Sequence, residues 1–125
     1  MDPKLAARLL HGGRVALGAA LLVAPGRAAR GWVGDLVERP GVRAIVRSVG
    51  VRDLVLGLID LHTLDHPDVG PRWQATVGAV DAVDAIATGL AASDLPAAGV
   101  AGTVAIAGGA AAAGFWLSRA LSSQG

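Results

Sequence analysis

The stretch Val46–Leu61, "VRSVGVRDLVLGLIDL", decides the fold. It is apolar enough for a bilayer or a protein core, yet it carries Arg47, Arg52, Asp53 and Asp60. Wound as a helix at about 100° per residue, it sorts into two sides. Arg43, Val46, Arg47, Gly50, Asp53, Gly57 and Asp60 fall on one broad face, and Val51, Val55, Leu58 and Ile59 on the other. Small residues interleaved with charges mark a surface where helices approach closely and polar side chains turn inward. Arg52 breaks the pattern, projecting toward the apolar side in mid-segment. Either another helix lies against that flank, or the segment is bent or shifted in depth.

The rest of the chain supplies the partners. Its 125 residues make one domain, long enough for four helices around a single core. Hydrophobic residues reach 53% and mean hydropathy is +0.53, while charged residues stand at 17%, against about 25% in an ordinary soluble domain. That is too little charge to coat a small globule, and a membrane-embedded bundle is the better account. A net charge of +1, with Lys and Arg scattered rather than striped, excludes a nucleic-acid partner. The absence of cysteine excludes disulfides, thiol catalysis and Cys-ligated zinc. The apolar run near the N-terminus is interrupted by Arg14, which favours a retained first helix over a cleaved signal peptide.

Pro and Gly divide the chain into four apolar segments, about residues 5–24, 42–61, 72–92 and 96–117. Each is about 20 residues long, the length that crosses about 30 Å of hydrocarbon as a helix. Trp32, Trp73 and Trp116 sit at segment ends or in the first loop, where an interfacial belt belongs. The fold class expected is therefore all-α, a four-helix transmembrane bundle. A short interfacial segment between helices one and two would insert Trp32, Val33, Leu36 and Val37 into the membrane surface, with Arg27, Arg30 and Arg39 facing headgroups. Basic residues count four against four on the two sides, Lys4, Arg8, Arg72 and Arg119 opposite Arg27, Arg30, Arg39 and Arg43, so orientation stays open. The expected location is the cytoplasmic membrane. In the fourth segment Ala101, Ala105, Gly109 and Ala113 recur at steps of four, a small-residue ridge suited to a neighbouring helix, a second copy or a membrane partner.

Three of the four segments carry ionisable stripes. Asp81, Asp84 and Thr88 align on the third, and Arg8, His11 and Arg14 step around a polar side of the first. An ionised residue at mid-bilayer costs at least about 2.5–3.5 kcal/mol, so the acids Asp53, Asp60, Asp81 and Asp84 require basic partners. Interhelical Arg–Asp pairs are expected, with bidentate geometry at Arg47 or Arg52. Asp53, Asp81 and Asp84 are the candidate acid–base groups, since a desolvated carboxyl beside a like charge keeps its proton. Arg47 and Arg52 are the candidate anion partners, and His11, Arg14, Asp60 and Thr88 complete a polar pocket.

Other chemistry finds little support. A lone D-x-x-D is too short for the magnesium–diphosphate motifs of intramembrane prenyltransferases. The loop "HTLDHPD" holds His62, Asp65, His66 and Asp68, but Pro67 stops the helix that would align the histidines, so a solvated turn is expected rather than a metal site. No G-x-S-x-G, nucleotide-binding loop or H-E-x-x-H occurs, and no cofactor is expected.

The pattern "GRVALGAALLVAPGRAAR…PGVRAIVRSVGVRDLVLGL…VDAVDAIAT" resembles a domain-of-unknown-function family of small four-helix membrane proteins common in actinobacteria. In that family an R-x-x-G-x-R-D-L-x-L-G segment precedes a D-x-x-D helix, here Arg47, Gly50, Arg52, Asp53, Leu54, Leu56 and Gly57, then Asp81 and Asp84. The resemblance covers about residues 9–118 and implies a fold, not an activity. Small multidrug exporters are alike in size only, because they depend on a first-helix Glu and on aromatics that this chain lacks.

Two functional readings follow. In one, a polar pocket accepts a hydrophobic small molecule from the bilayer, with acid–base isomerisation or cyclisation as the fitting chemistry. In the other, the chain is a structural or accessory membrane subunit whose ion pairs only fix helix packing. A soluble helical bundle is a third option.

Overall fold

In the computed structural model, which describes residues 1–124, the chain forms five α-helices and, among the described residues, no strand. They are α1 (Pro3–Val23), α2 (Pro25–Val33), α3 (Pro40–Thr63), α4 (Val69–Leu90) and α5 (Ala97–Ser122). Short 3-10 turns at Gly34–Glu38 and Ala92–Asp94 complete the connections. The four long helices match the expected segments to within five residues at each end, and Pro71 lies inside the first turn of α4 rather than ahead of it.

Proline does most of the punctuation. Pro3, Pro25 and Pro40 are the first residues of their helices, where the missing N–H costs nothing. The Asp2 side chain caps α1 by accepting from Leu5 N at 2.9 Å. Ala24, immediately before Pro25, is barred from helical geometry and sits at φ −131°, which separates α1 from α2. Gly34 ends α2 at φ +60°, a conformation that favours glycine, and a side chain there would also strike Pro96.

Glycine sets how closely the long helices pack. α1 and α3 run antiparallel in near-backbone contact: a Cβ at Gly18 would lie 2.5 Å from Leu54 N, and one at Gly50 2.8 Å from Gly18 O. α4 and α5 meet the same way, a Cβ on Gly114 falling 2.9 Å from Gln74 O and one on Gly78 3.2 Å from Ala111 O. The expected ridge on the last helix lies outside these contacts. Ala101, Ala105 and Gly109 are exposed and Ala113 half-buried, while Gly99, Ala111, Gly114, Leu117 and Leu121 are buried. The physical reason is the helical repeat: steps of four overshoot a turn by about 40° each, so a strict four-residue ridge winds out of an interface that mixed steps of three and four follow.

In the segment between α1 and α3, Val37 is fully buried, which corrects its expected insertion into the membrane surface, and the half-buried Trp32 and Val33 pack beside it against Leu21, Ala29 and Val46. Arg30 ties the turn by donating to Asp35 at 3.1 Å and to Glu38, and Arg43 joins Glu38 at 3.1 Å. The Arg30 hydrogen bond, helped by the Arg43 charge, holds the Glu38 carboxyl below its ordinary value. A smaller core cluster of Ala7, Leu64, Leu117 and Leu121 closes the other end.

Two helices, α1 and α5, are long and apolar enough to cross a membrane; α3 and α4 fall short on composition. Large apolar side chains are nevertheless exposed on all four long helices, among them Leu9, Ile45, Val55, Leu58, Val83, Ile86, Ile106 and Trp116.

Two outcomes test this frame. Gly18→Ala is expected to lower thermal stability by about 1–3 kcal/mol through overpacking, whereas Gly12→Ala, with nothing within 4 Å of its Cβ, is expected to raise it by about 0.5–1 kcal/mol; circular-dichroism melts compare them. At the Lys4–Asp65 contact of 2.7 Å, the lysine's hydrogen bond holds the Asp65 carboxyl below its ordinary 3.8. A depressed carboxyl stabilises the fold above that value and loses its contribution as pH falls through the lower, folded-state value. The melting difference between wild type and Asp65→Asn is therefore expected to be constant from neutral pH down to the ordinary carboxylate range and to vanish in stronger acid.

Candidate functional site

α1, α3 and α4 bring five charged side chains into one line. Arg14 donates to Asp53 Oδ1 at 3.2 Å and to Asp81 Oδ2, bridging α3 and α4 from α1. Arg52 holds Asp84 through two hydrogen bonds of 3.0 and 2.6 Å and reaches Asp53 Oδ1 at 3.4 Å. The result is an alternating ladder, Asp81–Arg14–Asp53–Arg52–Asp84. Three carboxylates face two guanidinium groups.

The ladder settles where Arg52 belongs. On α3 it lies on the flank that α4 covers, so the residue that broke the helical pattern is the one that reaches the next helix. The bidentate pair forms there, not at Arg47. Arg47 is exposed and donates only to Leu22 O at 3.3 Å, because its flank of α3 faces the end of α1, which presents carbonyls and no acid. It lies outside both the ladder and the cavity lining.

His11 and Asp60 form a separate group with Gln74, all three essentially without solvent exposure. His11 Nε2 and Gln74 Oε1 are 2.7 Å apart, so the imidazole donates there to the amide oxygen. Gln74 Nε2 reaches Asp60 Oδ1 at 3.5 Å. His11 Nδ1 and Asp60 Oδ2 are 3.1 Å apart but off the line of a hydrogen bond, and neither has another partner. This trio clamps α1, α3 and α4 one to two turns from the ladder and does not line the cavity described next. Thr88 is buried on the Asp81 side of α4 yet hydrogen-bonds to none of these groups, so it too lies outside the site. Gln74 went unnoticed in the sequence, although it stands seven residues before Asp81 and so shares its stripe.

A cavity of about 540 Å³ opens above the ladder. Arg14, Asp53, Asp81 and Asp84 form its polar floor. Leu10, Leu17 and Leu21 of α1, Trp32 of α2, Val49 of α3 and Gly102, Thr103, Ile106 and Ala107 of α5 form its walls. The size suits a small organic molecule. Leu17 of α1, 46% exposed, and Ile106 of α5, 72% exposed, both line the cavity, so it reaches the surface between outward faces of α1 and α5. α5, which bears no charge in mid-span, supplies more of the wall than any other helix.

The pairing also bears on acid–base chemistry. Asp84 spends both oxygens on Arg52, and Asp53 and Asp81 each give one to Arg14. A carboxylate gripped by guanidinium is an acceptor, not a proton donor. Among the described residues no cluster of His, Asp and Glu is arranged to hold a metal ion.

No protein-family model, curated protein or solved structure matches this chain.

Removing Arg14 leaves Asp53 and Asp81 buried without a counter-charge, and Arg14→Met is expected to cost about 3–5 kcal/mol. Adding Asp53→Asn and Asp81→Asn to that variant should recover most of the loss. Thermal melts of the single and triple variants decide it, and no recovery would rule out charge pairing as the source of the effect.

Proposed function

We propose that the chain is a four-helix integral protein of the cytoplasmic membrane, crossed by α1, α3, α4 and α5, whose lateral cavity binds a hydrophobic small molecule drawn from the bilayer. The observation that carries this reading is the cavity mouth between α1 and α5, framed by exposed Leu17 and Ile106. A ligand entering there crosses an apolar surface, not water.

Support for the membrane setting comes from the distribution of charge. In α3 and α4 the ladder and the trio pair Arg52, Asp53, Asp60, Asp81 and Asp84, while the outward faces carry Ile45, Val51, Val55, Leu58, Val83, Ile86 and Leu90. A helix that buries its charges against partners and shows aliphatic side chains outward meets the demands of lipid. Trp73 and Trp116, at the start of α4 and near the end of α5, mark one interface.

Binding fits the geometry better than acid–base turnover, because each candidate acid is tied to arginine. The second reading, pairs that only fix packing, has its own support in that Arg14–Asp53, Arg14–Asp81 and Arg52–Asp84 each join two helices.

Trp32 on the cavity wall provides the test. In detergent micelles a dibrominated alkane is expected to quench its fluorescence saturably. That component should vanish in Trp32→Phe and in Ala107→Phe, which fills the cavity. Non-saturable quenching, equal in all three proteins, would leave only the packing reading. Recovery of the protein from cells without detergent would remove the membrane setting altogether.

A further inference from the structure

The floor of the cavity is short of one positive charge. Along Asp81–Arg14–Asp53–Arg52–Asp84 each arginine is spent on two acids, yet three carboxylates remain against two cations. Asp53 and Asp81 are more than nine-tenths buried, and each has one oxygen, Asp53 Oδ2 and Asp81 Oδ1, to which no side chain or backbone group donates. Both residues line the cavity, and both are tethered to the same guanidinium. An uncompensated carboxylate in apolar surroundings is costly, and a donor-bearing cation relieves both the charge and the unused acceptors.

Building on the binding reading above, we propose that the ligand is a lipophilic amine, a monocation whose ammonium group sits between Asp53 and Asp81 while its apolar body lies along Leu17, Trp32 and Ile106. The ammonium brings the charge that neutralises the ladder and N–H donors for the two idle oxygens. The remaining volume is walled by aliphatic and indole surface, which suits an alkyl or aryl body and gives a second charge no partner. An anion is disfavoured in the same place, where three carboxylates already outnumber two guanidinium groups. Arg14, Asp53 and Asp81 stand near the middle of α1, α3 and α4, away from the helix ends where phospholipid headgroups gather, so the cation is a free amine and not the head of a membrane lipid.

A charge series on the wild-type protein tests this without relying on any variant. Dodecylamine, dodecanol and dodecanoic acid, matched in chain length, are titrated in uncharged detergent against displacement of the dibrominated alkane from Trp32. Dodecylamine is expected to displace the probe at concentrations about tenfold or more below dodecanol, the margin a charge-assisted hydrogen bond confers, and dodecanoic acid is expected to be weakest. Asp81→Asn should bring dodecylamine down to the level of dodecanol measured in the same variant. Lysophosphatidylethanolamine, which carries its amine on a phosphate, should displace no better than dodecanol.

Equal displacement by all three dodecyl compounds would overturn the amine assignment and leave the pocket standing, with one ladder carboxyl then holding a proton. Tighter binding of dodecanoic acid would overturn it in favour of an anion. Lysophosphatidylethanolamine matching dodecylamine would overturn the choice of a free amine. If the probe itself does not saturate, the cavity reading fails and this proposal with it.

Discussion

The hinge of the structure is Arg14. One guanidinium on α1 reaches an acid on α3 and another on α4, so three helices share a single cation. Its cost of desolvation is high, and the interior repays it only while both acids stay in place. Everything nearby follows from that demand. α1 must lie close to α3, which is why Gly18 and Gly50 carry no side chain, and α4 must present Asp81 toward α1 and Asp84 toward Arg52. α5 contributes no charge and is free to close the space with small residues and one wall of aliphatic surface.

The same arrangement explains why a cavity survives inside so small a protein. Among the long helices, tight backbone contact is confined to two pairs, α1 with α3 and α4 with α5, each sealed by glycine. Between the pairs the distance is set by the length of arginine side chains rather than by backbone contact. Side chains reaching across a gap hold it open as well as bridge it. The His11–Asp60–Gln74 trio braces the same gap further along, and Trp32 and Gly31 of α2 cover the end near Gly99. A polar floor and a lateral mouth are then consequences of charge placement, not additions to it.

Much of this was legible in the residue order. The alternation of Gly50, Asp53, Gly57 and Asp60 with valines and leucines located the inward face of α3, and the Asp81–Asp84 spacing located that of α4. Pro25 closed the first expected segment, and Pro40 and Pro96 bounded the starts of the second and fourth. Other placements were not legible in the residue order. Arg47 sits on the flank of α3 that no acid faces, and helical projection alone does not say which flank a neighbour covers. The Ala101–Ala105–Gly109 ridge winds away from α4, since only mixed steps of three and four stay on one interface. Trp32, Val33 and Val37 read as amphipathic surface, yet the turn at Gly34 folds them back onto α1 and α3.

What the sequence determined by itself is that buried charge must be paired and which helix faces carry it, because burial energetics and the 3.6-residue repeat act within each segment. Which acid each arginine takes was decided only by tertiary structure. Arg52 stands on the side of α3 that its own helix marks as apolar, and only the position of α4 turns it from a misfit into the partner of Asp84. The cavity belongs to the same class of fact: its walls come from four helices, and no local pattern records the distance between them.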